Sequence, residues 1–398
     1  MFWFNRYWTM FLMVTAVAIL LTTACNNKQE DTVADVDVIG SLPATATVPP
    51  EVTKQLPRAT RTPTATPPAT ATPASTATER LLTEEPTQTA TAVPSAIPTN
   101  TPEPTATATE TPTPEPFDGL TIDELSAREY GGGDIEILET MEETAVFNRQ
   151  HISFPSDDLT ITGQMLVPIG DGPFPVVIVI HGDIEPEDYT NPPYITEYAD
   201  HLARNGFLVI QPDLRNFSTS DRADDLFRVG STIDVLNLVA IVQENGGQTE
   251  ALRAADSSNI NLWGHSMGSH IALRAIVVNP TIQRAILYAG ASFDEHELFK
   301  RVRYWSSGKI GQAEIDTPME EVALISPLNY LDKVETAVSI HHGIDDLIVP
   351  KEWFGIVCQQ FYDLGKPYTC YSYPEQGHIF EGEADHLFRS RVLNFLNN

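Results

Sequence analysis

The sequence is poor in basic residues, in cysteines and in clustered metal ligands, and each shortage restricts what the protein does. Only 24 lysines and arginines stand against 54 aspartates and glutamates, which gives the 398-residue chain a formal net charge of −30. Nucleic acids and anionic membrane surfaces repel such a protein, so we expect neither as a partner. The sequence also contains no H-E-x-x-H motif and no clustered set of cysteines and histidines. We therefore expect no metal and no other cofactor.

Long hydrophobic runs are also scarce, and the run at the N-terminus is short for a membrane span. It follows Arg6 and extends from Trp8 to Ala24, whereas a spanning helix needs about 20 residues. A basic residue, an apolar run and then small residues are typical of an export signal, which predicts a signal peptide over 1–24. The run ends in "LTTAC", which resembles a bacterial lipobox and predicts lipidation of Cys25. The interpretation is an exported protein, lipid-anchored on the extracellular face of the membrane; an uncleaved signal anchor and plain secretion are the alternatives.

The chain has three cysteines, Cys25, Cys358 and Cys370. If Cys25 carries lipid, an even pair remains in an exported domain, where disulfides are allowed. Cys358 lies in a predicted helix and Cys370 lies in the strand that follows it, so the two side chains face each other if the helix packs on that strand. The pair is therefore a disulfide candidate, and two buried free thiols are the alternative.

Residues 25–116 lack the periodic apolar positions that a packed core requires. From about Ser41 onward the segment is threonine, proline and alanine with scattered acids, as in "TATPPATATPASTATE". Proline blocks helix formation and favours extended polyproline conformations, so this composition predicts a disordered stalk or linker. Residues 117–145 are transitional, and "TIDELSARE" predicts a short helix there with Thr121 as its cap.

Residues 146–398 alternate between apolar β-branched runs and helical patterns. The runs "PVVIVI", "FLVIQPDL", "INLWG" and "TAVSIHHG" are typical of buried strands, and a helical pattern follows each one, among them a long amphipathic helix in "DDLFRVGSTIDVLNLVAIVQEN". This alternation predicts one α/β domain with a mainly parallel, twisted sheet and helices on both faces. The segment 294–335 interrupts the alternation, which predicts an inserted lid.

The stretch "NLWGHSMGSH" contains a G-x-S-x-G motif formed by Gly264, Ser266 and Gly268, between a predicted strand and a predicted helix. In a nucleophile elbow, this turn raises the serine hydroxyl above the sheet edge, at the positive N-terminal end of the helix. The alternative is a serine in a tight structural turn. A hydroxyl is a poor nucleophile without a base, so the motif predicts an acid and a histidine later in the chain.

Two later loops supply those residues. "SIHHGIDDLIVP" contains Asp345 and Asp346 after a predicted strand, and "YPEQGHIF" presents His378 after the last strand. In this hypothesis His378 takes the serine proton, and one of the aspartates keeps the imidazole of His378 in the tautomer that can do so. The oxyanion hole then combines the backbone N–H of Met267 with the N–H of Asp183, in the turn after "PVVIVI".

The turn that begins at Asp183 is strongly acidic, with three more acidic residues within 185–188. Negative charge at the entrance to the active site disfavours substrates that carry a carboxylate near the scissile bond, unless a cation lies close. Arg215 in "PDLRNFSTSD" is the candidate cation, and a salt bridge to the acidic loop is the alternative. Within the predicted lid, Tyr304 and Trp305 are the candidates for substrate contact.

Taken together, the motifs resemble those of the α/β-hydrolase superfamily, in particular the catalytic domain of prolyl oligopeptidase-family peptidases and the dienelactone hydrolase-like esterases. The matching segments are "VIVIHG", "PDLRNFSTSD", "LWGHSMGSHIALR", "SPLNYLDKV" before "SIHHGIDDLIVP", and "YPEQGHIF". The resemblance covers about residues 146–398. It implies the α/β-hydrolase fold and a triad of Ser266, Asp346 and His378, because the family pattern H-G-x-x-D-x-x-V-P aligns its acid with Asp346.

The activity that this resemblance implies is that of a serine hydrolase, which cleaves a small ester, peptide or amide through an acyl-enzyme. Two departures from the family pattern matter. "RNFSTS" lacks the glycines usual in R-G-x-G-x-S, and no β-propeller precedes the catalytic domain. The second departure favours esters as substrates, with a peptidase as the alternative. A binding lipoprotein with an inactive hydrolase fold is the non-enzyme alternative.

Overall fold

The computed structural model describes residues 117–184, 189, 193–290 and 292–398. The predicted signal peptide, Cys25 and the predicted stalk lie outside these residues. Within the described part, nine strands form one sheet in the order β1-β2-β3-β5-β4-β6-β7-β8-β9. The strands are β1 (Glu136–Glu143), β2 (Phe147–Ser156), β3 (Leu159–Pro168), β4 (Phe174–Ile180), β5 (Leu208–Pro212), β6 (Ala255–His265), β7 (Arg284–Tyr288), β8 (Ala337–Gly343) and β9 (Tyr368–Tyr373).

The helices fill the connections between these strands. They are α1 (Ile122–Ala127), α2 (Pro193–Arg204), α3 (Val229–Asn245), α4 (Met267–Val278), α5 (Glu295–Trp305), α6 (Gln312–Asp316), α7 (Met319–Val322), α8 (Lys351–Asp363) and α9 (Gly382–Asn397). Two 3-10 turns, Leu226–Arg228 and Pro327–Lys333, precede α3 and β8.

The sheet is antiparallel at one side and parallel over the rest. Strands β1, β2, β3 and β5 pair antiparallel in that order, and every pair from β5 through β4, β6, β7 and β8 to β9 is parallel. Parallel strands require crossover helices, and β4, β5, β6 and β8 are each followed by one. The mainly parallel α/β architecture predicted from the alternating pattern is therefore confirmed.

The core lies in two layers, one on each face of the sheet. Because side chains alternate along a strand, Val176, Ile178 and Ile180 of β4 belong to one layer, whereas Val177 and Val179 belong to the other. A strand that is buried on both faces needs apolar residues at consecutive positions, which is the reason that "PVVIVI" is a continuous apolar run.

Helix α3 differs from its prediction in two respects. It begins at Val229 rather than further upstream, because Phe227 (φ 54°) and Arg228 (φ 60°) adopt left-handed backbone conformations. It is also buried on nearly all sides instead of being amphipathic. The stretch Leu226–Asn245 is long and apolar enough to cross a membrane, but most of it is buried inside the domain. It is the central core helix of this fold.

Residues 117–145 contribute two elements to the domain. The predicted helix with its Thr121 cap is α1, in which the Thr121 hydroxyl accepts from the Glu124 N–H at 3.3 Å and the Glu124 carboxylate accepts from the Thr121 N–H at 3.1 Å. Strand β1 was not predicted. All of its residues are exposed, so its sequence carries no alternation of apolar and polar positions.

The segment 294–335, predicted to be an inserted lid, contains α5, α6, α7 and the whole of the second 3-10 turn, between β7 and β8. Further along the chain, a disulfide joins Cys358 of α8 to Cys370 of β9, with the two Cα atoms 6.4 Å apart. The structure thus contains the bond for which these two cysteines were candidates.

Candidate active site

Ser266 lies in the turn between β6 and α4, with φ 54° and ψ −115°. Its N–H donates to the Tyr288 carbonyl at 2.9 Å. The flanking glycines allow close backbone contacts: a Cβ on Gly264 would lie 2.2 Å from the Gly268 oxygen, and a Cβ on Gly268 would lie 2.2 Å from the Ile180 oxygen. Only glycine fits at both positions. The motif therefore has the strand, strained turn and helix of a nucleophile elbow.

Asp346 and His378 meet across the loops that follow β8 and β9. The His378 Nδ1–H donates to Asp346 Oδ2 at 2.8 Å. The other carboxylate oxygen of Asp346 accepts from the N–H groups of Ile348 at 2.8 Å and Val349 at 2.9 Å. Asp345 is exposed, and its N–H donates to the Gln376 carbonyl at 2.9 Å. Of the two adjacent aspartates, the structure brings Asp346 to the histidine.

The electrostatics of Asp346 favour its ionised form. Burial by itself would raise the pKa of this carboxyl, which is 8 % exposed. The hydrogen bond and charge of His378, with the two backbone N–H groups, outweigh burial and hold the pKa below its ordinary value. A carboxylate in this state holds the imidazole orientation and stabilises an imidazolium.

His265 connects the elbow to His378. Its Nε2–H donates to the His378 carbonyl at 3.0 Å, its Nδ1 accepts from the Tyr194 hydroxyl at 3.0 Å, and its ring centroid lies 4.6 Å from that of His378. Burial, followed by the proximity of His378, lowers the pKa of His265 to about 3, so the ring is neutral at physiological pH. Nothing in the sequence marks its bond to the loop after β9.

The turn after β4 runs close to Ser266. A Cβ on Gly182 would lie 3.2 Å from the Ser266 Cβ. His181 lies in this turn with its ring nitrogens 2.7 Å and 3.0 Å from the carbonyl oxygens of Gly182 and Asp213. Asp183, whose backbone N–H is a candidate oxyanion donor, directly follows Gly182. The other candidate, Met267, is the first residue of α4, where backbone N–H groups have no partner within the helix.

Arg215 does not have the surroundings expected of a substrate-binding cation. It is 7 % exposed, and its Nε and Nη2 donate to the two oxygens of the fully buried Asp234 at 3.1 Å and 2.8 Å. The guanidinium is committed to this pair, and the substrate-binding role of Arg215 stays a prediction. Instead, Arg228 lies beside Ser266, with Nη2 3.3 Å from Asp183 Oδ1 and Nη1 3.8 Å from Asp225 Oδ2. No motif in the sequence pointed to Arg228.

A cavity of about 30 Å³ adjoins Ser266 and Met267. Asp183 and Arg228 border it, and helix α5 supplies an apolar wall that includes Trp305. Of the two aromatic residues predicted to contact substrate, Trp305 lines this cavity. Tyr304 is 74 % exposed and does not line it, because its position on α5 faces solvent. A wider cleft of about 550 Å³ is lined by residues of α2 and α9 alone, so it is separate from the predicted site residues.

Comparison with known proteins agrees with the fold. The family model for the α/β hydrolase fold matches residues 175–309. Acetyl xylan esterase 1 from Thermoanaerobacterium sp. JW/SL YS485 is similar in structure, with 17% identity and a TM-score of 0.53 over 69% of this chain and 92% of that one. Acetyl xylan esterase from Paenibacillus sp. R4 gives 15% identity and a TM-score of 0.51 over 69% and 91%.

A third similar structure is the acylaminoacyl peptidase of Pyrococcus horikoshii, with 19% identity and a TM-score of 0.51. The match covers 63% of this chain but only 41% of the peptidase. No curated protein sequence matches the chain. At these identities the structural likenesses concern the fold. Together with the family match over residues 175–309, they show that the chain has the α/β-hydrolase fold.

Proposed function

We propose that the protein is a serine hydrolase that cleaves an ester, or a small peptide or amide, through an acyl-enzyme on Ser266. The observation that carries this proposal is the 2.8 Å contact between His378 and Asp346, with His378 bonded in turn to His265, the residue before Ser266. The order along the chain is serine, acid, histidine, which is the order of α/β-hydrolase triads. The hydrolase family match supports the same class of activity.

In the proposed reaction, Ser266 Oγ attacks the carbonyl carbon of the substrate, and His378 Nε2 takes the proton of the Ser266 hydroxyl. Asp346 stabilises the imidazolium that forms. The negative charge that develops on the carbonyl oxygen faces the N–H groups of Met267 and Asp183. Collapse of the tetrahedral intermediate breaks the bond to the leaving group, which takes its proton from His378. Water then hydrolyses the acyl-enzyme by the same sequence of proton transfers.

We favour an ester over a peptide bond. The two acetyl xylan esterases are matched over 92% and 91% of their lengths, so nearly all of each esterase corresponds to this chain. The acylaminoacyl peptidase is matched over only 41% of its length. Peptide or amide cleavage is the second candidate, supported by that partial likeness, and parallel assays with acyl esters and aminoacyl amides separate the two.

For the location of the enzyme, we propose display on the extracellular face of the membrane, with lipid on Cys25 and the Thr/Pro-rich segment as a spacer. The support is the order of the N-terminal sequence, in which a basic residue, an apolar run and "LTTAC" follow one another. Mass spectrometry of the mature N-terminus tests this part: a lipid-modified Cys25 is expected. An unmodified chain that begins elsewhere contradicts it.

The catalytic assignment is tested with Ser266→Ala and a fluorophosphonate probe that labels activated serines. We expect the variant to lose both probe labelling and ester turnover and to unfold at the same temperature as the wild type. Ser269→Ala is the matched control, because it makes the same change one helical turn further along α4, at a fully buried side chain. Labelling that persists in Ser266→Ala, or disappears in Ser269→Ala alone, contradicts the assignment.

A further inference from the structure

We propose that the cavity beside Ser266 is an acyl pocket that admits only short acyl groups, such as acetyl and propionyl, and that helix α5 sets this limit through Trp305. This inference rests on the proposed function, because it names the class of ester that the same serine cleaves. It concerns the part of the cleft that the sequence motifs do not describe.

The cavity lies on the acyl side of the scissile bond. The leaving group must lie next to His378, because that histidine protonates it. The cavity is instead bordered by Ser266, Met267, the turn at Asp183, the start of α3 and helix α5, and His378 is not among its lining residues. A carbonyl group bound between Ser266 and the Met267 N–H therefore directs its acyl substituent toward α5.

The size of the cavity sets the length of the acyl group. Its volume is about 30 Å³, whereas a pocket for a drug-sized ligand has about 300–1,000 Å³. So small a space suits the methyl of an acetyl group or the ethyl of a propionyl group. A butyryl or longer chain requires the wall to move. That wall is apolar and consists of Leu298, Phe299, Val302 and Trp305 of α5.

Helix α5 is held in place at both ends. At its start, Glu295 is fully buried, lies 2.7 Å from the His270 Nε2 and forms an ion pair with Arg274, both residues of α4. Near its end, Arg301 donates to the Leu347 carbonyl at 2.9 Å. Breaking a buried charge cluster is costly, so the helix is a fixed wall rather than a flap. The width of the cavity is therefore a property of the resting enzyme.

The mouth of the cavity is held by strained backbone. Phe227 and Arg228 both have positive φ, a conformation that persists only where the surrounding structure imposes it. The turn places the Phe227 ring 5.1 Å from the ring of Phe299, beneath α5, and directs the Arg228 guanidinium to Asp183. Arg228 thus joins the α5 side of the cavity to the turn that carries the proposed oxyanion donor.

The test is the acyl-length profile with p-nitrophenyl acetate, propionate, butyrate and hexanoate, which share one leaving group. For the wild type, we expect kcat/KM to fall by about tenfold or more from propionate to butyrate, the discrimination that a close-fitting pocket gives for one methylene. Trp305→Ala opens the wall and should raise the ratio of hexanoate to acetate turnover by about tenfold or more, with Trp305→Phe between the two. Tyr304→Ala is the matched control on the same helix and should keep the wild-type profile.

The outcomes separate this inference from the proposed function. If no ester is turned over and the fluorophosphonate probe does not label Ser266, both fail. If esters are turned over but hexanoate is as good as acetate in the wild type, only the acyl-pocket inference fails. It also fails if folded Trp305→Ala and Trp305→Phe keep the wild-type profile, or if Tyr304→Ala widens the profile as much as Trp305→Ala does. Thermal unfolding of each variant establishes that it is folded.

Discussion

The two sides of the cleft are built in different ways. On the side of the proposed base, Asp346 and His378 lie in short loops directly after β8 and β9, and one hydrogen bond joins them. On the pocket side, the turn at Asp183, the start of α3 and helix α5 come from separate parts of the chain, and ion pairs and ring contacts hold them together. Residues that directly follow a strand, Asp183 among them, can be located from a motif, whereas a residue such as Arg228, which packing between remote segments brings to the cavity, cannot.

The largest effect on activity is expected at the two adjacent aspartates, Asp345 and Asp346, of which one contacts His378 and the other does not. Asp346→Asn leaves His378 without its carboxylate partner, so we expect kcat to fall by up to about 10⁴-fold, as for loss of the acid in a serine protease triad. Asp345→Asn is the matched control: its side chain is exposed, and the backbone bond to Gln376 is unaffected. Steady-state kinetics on a short-chain ester measures both. If the two phenotypes are exchanged, the geometry of the loop after β8 does not represent the working enzyme.

The second prediction contrasts the two arginines between β5 and α3. Arg215→Met leaves Asp234 buried without its cation, so we expect a loss of about 3–5 kcal/mol in the free energy of unfolding. Arg228→Met breaks ion pairs at a side chain that is 21 % exposed, and Asp225 keeps its bonds to the Ser231 N–H and hydroxyl. We expect that change to cost about 1 kcal/mol.

For activity we expect the opposite order: Arg228→Met should be the more harmful change and Arg215→Met the less harmful one. Arg228→Met releases the turn at Asp183, so kcat/KM on an acetyl ester should fall although the protein remains stable. The fraction of Arg215→Met that is folded should keep a turnover number close to that of the wild type. Urea unfolding and kinetics on the same preparations measure both properties. A substrate role for Arg215 predicts the reverse: a stable variant with a raised KM.

The fold was largely predictable from the sequence, and the exceptions have physical causes. Buried parallel strands require consecutive apolar residues, so β4 through β8 are visible as apolar runs. Strand β1 is exposed on both faces and carries no such signal. The start of α3 was misplaced because Phe227 and Arg228 adopt positive φ without being glycine, and only the packing of Phe227 in the core imposes that conformation.

Some residues of the candidate site were likewise predictable from motifs, and others were not. The Ser266 elbow and the acid and histidine loops have spacings that a motif describes, and the structure brings Asp346 and His378 together. Arg228 and His265 had no such signal. Their roles depend on partners far away in the chain, Asp183 and the carbonyl of His378, and on burial that a single sequence does not reveal. Arg215 was chosen for its charge and its place after a strand, but burial against Asp234 decides what it does.

The last prediction concerns His265, which connects the two sides, and it is a dependence of stability on pH. Burial lowers the pKa of this imidazole to about 3 from an ordinary value of 6.5. Between these values the unfolded chain binds a proton that the folded chain does not, so stability falls as the pH decreases through this window, by up to about 1.4 kcal/mol per pH unit. Asp346, whose pKa is lowered from 3.8, affects stability mainly below about pH 4, outside the pH range of this prediction.

His265→Gln should therefore flatten the decline in unfolding free energy between pH 6.5 and 4.5, because glutamine does not titrate and its amide retains a donor for the His378 carbonyl. Tyr194→Phe is the control: it removes the hydroxyl that His265 Nδ1 accepts from but leaves the buried imidazole, so the decline should stay as steep. Burial also lowers the pKa of His341 to about 3, so part of the slope remains in every variant. If His265→Gln declines as steeply as the wild type, His265 does not stay neutral in the folded protein, and the bond that holds His378 has to be assigned differently.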